Sequence, residues 1–234
     1  MADLPLSHIP LLFALGLLFL LGFISYATYR TGQLLKVWEP EMNLLLLPTE
    51  NMARLGMIGV CVVLGLVSGV GASTLGWRPA APVEDVGLGV AAGLGLSLAL
   101  ALPTLWVKAH RPHWYSDVIV RSILPRSRRE WPAVVVALLP VALLEELIFR
   151  SLLLGGLSPY VNVVFFAVAA SIYFGLLHMP QGEWGVLGVS LVGLALSALF
   201  LWRGSLLVVV VAHWVANVAQ LAQARWWAQR ARED

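Results

Sequence analysis

Apolar runs of about 20 residues recur along this 234-residue chain, and that recurrence constrains the fold more than any other feature. They lie at roughly 8–29, 53–75, 84–107, 132–154, 158–178, 184–201 and 205–223. Each approaches the length needed to cross a hydrocarbon core of about 30 Å. Inside lipid every backbone polar group needs an internal partner, which leaves helices or closed barrels, and runs of this length select helices. The expected fold class is all-α, a polytopic transmembrane helical bundle of about seven spans. Composition agrees, with 59% hydrophobic residues and 12% charged ones against about 25% charged in a typical soluble domain.

The basic residues test the span count, because a wrong count would mix basic and non-basic loops on one side. With seven spans one side holds Arg30, Lys36, Arg54, Lys108, Arg111, Arg121, Arg126, Arg128, Arg129, Arg225, Arg230 and Arg232. The other side holds Arg78 and Arg203, and Arg150 falls within a span. Twelve against two predicts an N-terminus outside and a C-terminus in the cytoplasm, in the inner membrane of a cell. No Lys or Arg precedes the first run and no small-residue cleavage site follows it, so it is expected to stay as a helix. In this setting a net charge of +2 reports orientation, and no nucleic-acid partner is expected.

Trp77, Trp106, Trp131, Trp184, Trp202, Trp226 and Trp227 fall at expected span ends, where indoles anchor at headgroup level, whereas Trp214 falls well inside the last span. The pairs Gly65 and Gly69, Gly89 and Gly93, and Gly185 and Gly188 are expected to let helix backbones approach closely. Gly87-Leu88-Gly89 follows no strand and is no phosphate loop. The single cysteine, Cys61, excludes a disulfide framework and reads as a small hydrophobe. Between Lys108 and Arg129, apolar and basic residues interleave as in a short amphipathic surface helix, or simply as in a positive-inside loop.

Ionisable groups within a span are costly to bury and face a bundle interior or a wet cavity. Here they are Glu145, Glu146, Arg150, His178 and His213, on three different runs; His8, His110 and His113 lie in loops or at an end. Adjacent helix positions point about 100° apart, so Glu145 and Glu146 have different tasks. Glu146 and Arg150, at i and i+4, can form an ion pair that leaves Glu145 the freer carboxylate. His213 and Asn217, also i and i+4, project from one helix face. Each group has a plain structural reading as well: a neutralising ion pair, a histidine at a helix C-terminus, interhelical hydrogen bonding. Brought together, however, a carboxylate, two imidazoles and a carboxamide suit water-mediated amide hydrolysis. Glu145 can take a proton from water, His178 can hold that water, and His213 with Asn217 can stabilise the oxyanion.

Other intramembrane protease chemistries lack their residues. The aspartates Asp3, Asp85, Asp117 and Asp234 lie in loops or at the ends, and neither His-Glu-x-x-His nor Gly-x-Ser-Gly occurs. A proton-coupled transporter or a non-catalytic membrane scaffold is the reading from a different class, and no internal inverted repeat supports it.

At these residues the sequence resembles the CPBP family, also called Abi or type II CAAX prenyl endopeptidase-like membrane proteases. The family pattern is Glu-Glu-x-x-x-Arg, then Phe-x-x-x-His, then His-x-x-x-Asn or Asp; Glu145, Glu146 and Arg150, then Phe174 and His178, then His213 and Asn217 match it in order. The resemblance covers about 130–223. It implies endoproteolysis of a membrane-associated peptide or protein substrate, with Glu145 and His178 on the water, His213 and Asn217 on the oxyanion, and Glu146 with Arg150 as positioning residues. It implies no organic cofactor. A Glu and two His could supply the three ligands of a catalytic zinc, and metal-free glutamate chemistry is the expectation preferred here. Two substrates fit: a cytoplasm-facing CAAX-like tail, or an outward-facing C-terminal anchor as in the myxosortase members. The expected division of the chain is a three-span region with a basic loop at 1–130, a four-span catalytic core at 131–223 and a polar cytoplasmic tail at 224–234.

Depth arithmetic leaves a mismatch. At 1.5 Å per residue Glu145 lies about 21 Å from Trp131, and His213 about 13 Å from the outer face, yet His178 falls near the inner end of its run. Span boundaries, tilt or a break at Pro140 must absorb the difference.

Overall fold

A computed structural model describes residues 9–230, and Asp3, His8, Arg232 and Asp234 lie outside them. The described residues form helices and turns. Helices α1 (Leu11–Leu34), α2 (Pro48–Val67) and α3 (Pro82–His110) are followed by the short α4 (Val118–Ile123). Next come α5 (Trp131–Glu146), a π-helical continuation (Leu147–Gly155), α6 (Val163–Leu176), α7 (Gly182–Arg203) and α8 (Leu206–Arg230). Six helices are long and apolar enough to cross a membrane, and α6 is a shorter apolar helix. The protein is an integral membrane helical bundle.

All seven expected runs are thus helical, but the fifth is not of full span length. Its 14 residues reach about 21 Å. Asn162 starts it, its side-chain oxygen accepting from the amides of Val164 and Phe165 at 3.2 and 3.3 Å. The chain leaves it at Leu177, well short of the length of its neighbours. The two ends of α6 nevertheless lie at opposite ends of the bundle. Gly155 and Gly156, just before it, face Thr74 and Phe13, whereas Gln181, just after it, accepts from the amide of Ser116 at 3.0 Å.

The loops sort into two groups, as a seven-pass chain requires. At the basic end Arg126 donates to the carbonyls of Pro40 and Glu41, joining the segment after α1 to the segment before α5. At the opposite end Arg203 Nε donates to Asp85 at 2.9 Å and the Leu206 amide to Gly76 O at 2.8 Å.

Helix α3 lies along α8, and Gly89 and Gly93 make that approach close: a methyl group on either would run into Val208 or Ala212 carbonyls and the side chains of Val211 and Val215. Gly175 of α6, unmarked in the sequence, does the same against Val186 and Ser190 of α7. The other expected pairs behave differently. Helix α2 ends at Val67, so Gly69 sits beyond it in a turn with φ 75°, and Gly65 packs on the Trp77 ring instead of on a helix. Gly188 has nothing of another helix closer than 3.9 Å. Trp77 is accordingly no headgroup anchor. It turns inward and donates to Ser151 Oγ of the π segment at 2.8 Å. Trp106, Trp202 and Trp226 are exposed at helix ends as expected, and Trp214 satisfies its indole on Val135 O at 2.8 Å.

Two local expectations are corrected. The break at Pro140 does not occur: α5 is continuous through it, and the irregularity comes seven residues later, at Leu147, as π-helix. All nine residues of that π segment are buried, which makes it the central rod of the bundle. In the basic stretch 108–129 only the last three residues of α3 and the six of α4 are α-helical, and Ile119, Val120 and Ile123 of α4 line an internal cavity instead of lying on a membrane surface. Helix α8 runs on to Arg230, so the described part of the 224–234 tail continues the last helix.

Candidate active site

Glu145 and Glu146 close α5 just where the backbone widens from α to π. π-helical insertions of this kind recur at functional sites. Glu146 is fully buried. Its Oε1 accepts from Arg150 Nη1 at 3.0 Å and from His213 Nδ1 at 2.7 Å. Arg150, 1% exposed, also donates through Nη2 to Gly193 O of α7 at 2.8 Å. Buried charges survive only when paired and hydrogen-bonded, and this set ties α5, α7 and α8 into one network.

The expected pairing of Glu146 with Arg150 is therefore present but incomplete. The same carboxylate oxygen also orients His213, which the i, i+4 spacing gave no reason to expect. Because a carboxylate only accepts, Nδ1 of His213 carries the proton. Its Nε2 then faces Glu145 Oε2 at 3.5 Å. Glu145, with its side chain 26% exposed, is the freer carboxylate, as the sequence suggested. Two carboxylates against one guanidinium leave the cluster one negative charge, and a single proton between Glu145 and His213 brings it to neutrality. Glu146 Oε2 and Arg150 Nε, both buried, make no hydrogen bond.

His178 follows the last turn of α6. Its Nδ1 meets Phe174 O at 2.8 Å, which fixes the proton on Nδ1 and leaves Nε2 as the acceptor in the neutral ring. This contact is the helix-terminus reading of His178 realised, and it also aims the second nitrogen. The Phe174 ring stands edge-on to both imidazoles, with centroids 4.8 Å from His178 and 5.9 Å from His213. Phe174 thereby spaces the two histidines. Its own position is held by Arg150 beneath it, 5.1 Å from the ring centre.

Glu145, His178, His213 and Asn217 all line one cavity of about 470 Å³. It runs from Ile148 and Phe149 at depth to Leu45, Ile119 and Pro180 at the basic end. His178, just past the end of α6, lines the same cavity as Glu145. Two further residues on the wall escaped the sequence reading, Glu50 and Arg54 of α2. Arg54 stands at the very start of an apolar run, where it reads as a loop cation. The helix in fact begins at Pro48 and carries it inside.

A catalytic zinc would need three protein ligands at once. Among the described residues no three His, Cys, Asp or Glu side chains cluster so as to hold a metal ion. His213 commits Nδ1 to Glu146 and turns Nε2 toward Glu145.

Residues 127–219 match the family model described as Type II CAAX prenyl endopeptidase Rce1-like. Over that segment the match supports the resemblance to the CPBP family. No curated protein and no solved structure matches the chain. The Rce1-like segment spans α5 to most of α8 and so contains all seven residues of the three motifs, Glu145, Glu146, Arg150, Phe174, His178, His213 and Asn217. Glu50 and Arg54 reach the same cavity from outside it.

Proposed function

We propose that the chain is an intramembrane endopeptidase in which Glu145 activates water to hydrolyse a peptide bond close to the membrane. The observation that carries this reading is the convergence of Glu145, His178, His213 and Asn217 from α5, α6 and α8 on one cavity. Water held between Glu145 and the free Nε2 of His178 attacks the carbonyl carbon while Glu145 takes its proton. Nε2–H of His213, held by Glu146, and the Asn217 amide donate to the oxyanion. The C–N bond then breaks as the proton passes from Glu145 to the leaving amine. Glu146 and Arg150 position the ring of His213 and take no part in bond making. No step uses a metal. Chelating divalent ions from active protein is expected to leave cleavage intact, and loss with recovery on added zinc would overturn that expectation.

The cavity wall at the basic end supports a substrate tail that faces the cytoplasm, with the N-terminus outside and the C-terminus inside an inner membrane. An outward C-terminal anchor of the myxosortase kind would need access from the other end, where Arg203 and Asp85 close the bundle. Comparative proteomics of membrane-protein C-termini, with wild type and E145A, tests both points. New C-termini dependent on Glu145 and facing the cytoplasm are expected. Undiminished processing by an inserted E145A protein would reject the mechanism.

A further inference from the structure

A second, smaller cavity of about 110 Å³ adjoins the catalytic one, and the chemistry above gives it no task. It lies among α3, α7 and α8 and reaches the basic end. Lys108 marks its outer end, where the ammonium stands 4.3 Å from the Tyr115 ring centre and 5.5 Å from that of Trp227. Leu100, Val120, Gln181, Val189 and Gln220 line both cavities, so the two spaces share one wall.

Their linings differ in kind. The catalytic cavity is walled largely by apolar side chains such as Ile24, Met57, Val141 and Leu144. The smaller one is lined by Ser97, Thr104, Ser116, Gln181, Gln220 and Gln223. Polar side chains within a span are costly against lipid and are kept where they face a wet space. On α8 they continue the catalytic set: Asn217, Gln220 and Gln223 follow at three-residue steps, each beside the next on the helix surface. Asn217 lines the catalytic cavity, Gln223 the smaller one, and Gln220 both. Gln223 donates to Ser97 Oγ of α3 at 3.0 Å, and Thr104 accepts from Trp184 Nε1 of α7 at 3.0 Å. Gly188 leaves the space unfilled, since a Cβ there would meet nothing closer than 3.9 Å. At the liquid's share of about 30 Å³ each, the cavity has room for about three to four waters.

We propose that this side cavity is the water supply of the catalytic site, drawing water from the basic end and passing it across Gln220 while substrate fills the larger cavity. The inference rests on the endopeptidase reading. Each turnover consumes one water molecule, whose oxygen stays on the new carboxyl group and one of whose protons ends on the new amine. An apolar segment lying in the larger cavity displaces the water there and closes that route. The side cavity stays open, because substrate has no apolar wall to follow into it. Gln220 offers a water both a donor and an acceptor from its place in the shared wall, which makes it a positioning residue that acts through water.

The test uses the full chain in phosphatidylcholine vesicles, in a Cys61→Ala background that removes the one native thiol. A101C lines the side cavity, whereas L102C, at the same depth on α3, replaces a side chain 76% exposed toward lipid. Methanethiosulfonate ethylsulfonate, a water-borne anion that reacts with thiolates, is expected to label A101C at least about tenfold faster than L102C, because a thiol in lipid stays protonated. Cleavage is read in the same vesicles with palmitoylated peptides of randomised apolar C-terminus. Gly188 lines the side cavity and not the catalytic one, so G188L plugs the supply alone. It is expected to slow labelling of A101C and to lower kcat by about tenfold or more with KM unchanged, as a poorly placed reactant does. G188A, one methyl in open space, keeps most of both. If G188L fails to fold, the ethylsulfonate group left on A101C is a plug added after folding and is expected to lower kcat in the same way.

Equal labelling of A101C and L102C, the result for a cavity filled by a lipid chain, would overturn the proposal. So would full kcat in protein plugged by either route, or an effect confined to KM. Peptide cleavage without selective labelling rejects the water supply and leaves the endopeptidase reading standing. Selective labelling with no cleavage of any peptide by wild type rejects that reading and the supply role with it.

Discussion

Among the described residues the bundle contains two buried ion clusters, and they are built to opposite rules. At the end away from the cavity Asp85, 1% exposed, accepts from Arg203 Nε at 2.9 Å and Nη2 at 2.8 Å, and Glu84 adds a 3.5 Å contact from solvent. One guanidinium there serves one buried carboxylate, with the second acid left in water. In the other cluster Glu146, Arg150 and His213 are enclosed, Glu145 is half in the cavity, and Glu146 Oε2 and Arg150 Nε stay unpaired. The first cluster is a closed clasp between the first turn of α3 and the end of α7. The second holds a surplus carboxylate and one proton to share. Burial of charge alone does not mark a reactive site; unequal partners do.

The sharpest way to break this contrast is to remove the surplus carboxylate. E145Q keeps the shape and removes the base, so cleavage is expected to fall by about 10²- to 10⁴-fold with the fold retained. D85N at the clasp is expected to leave the rate unchanged in the same vesicle assay. If both variants lose activity alike, the two clusters are not different in kind. Next in size is Arg150→Ala, which strands Glu146 without its cation; a loss of about 3–5 kcal/mol should appear in detergent unfolding.

Those two outcomes depend on different depths of inference from sequence. The carboxylate pair, the arginine one turn on and the two later histidine motifs are visible as residues out of place in apolar runs. Their spacing shows that Glu146 can meet Arg150, because i and i+4 share a helix face. It does not show that His213 takes the other side of the same oxygen, since 67 residues separate the partners and only the packing of α5 on α8 brings them to 2.7 Å. The same holds for His178. Its run reads as a full span, yet α6 stops after 14 residues, and only the packing of the bundle brings the histidine after it to the cavity that Glu145 lines. Asp85 reads as a loop acid and is buried for want of any local sign that Arg203 lies across from it.

A third comparison pits Asn217 against its neighbours on the cavity wall. N217A removes one oxyanion donor and is expected to lower kcat by about 10²- to 10³-fold, with melting little changed because the residue is only half-buried. A shift in KM alone would assign Asn217 to substrate binding instead. The smallest effect belongs to the clasp: Arg203→Ala leaves Asp85 unpaired but close to solvent, through a gap that Arg203 itself, 23% exposed, now fills. About 1–3 kcal/mol of stability is expected to go. A loss equal to that of Arg150→Ala would mean that the two clusters are equally enclosed.

By itself the sequence determined that this is a membrane helical bundle, because apolar runs near span length admit no other backbone arrangement, and it determined which few ionisable groups would sit inside. It also determined, through the sidedness of its basic residues, which loops share an end. What only the tertiary structure decided is who meets whom: the shared oxygen of Glu146, the π turn that carries it, the short α6 and the arrival of Arg54 in the cavity. Residue type and spacing act within a helix, where geometry repeats. Contacts between helices depend on how far each one is pushed along its neighbours, and that is set by packing over the whole bundle at once.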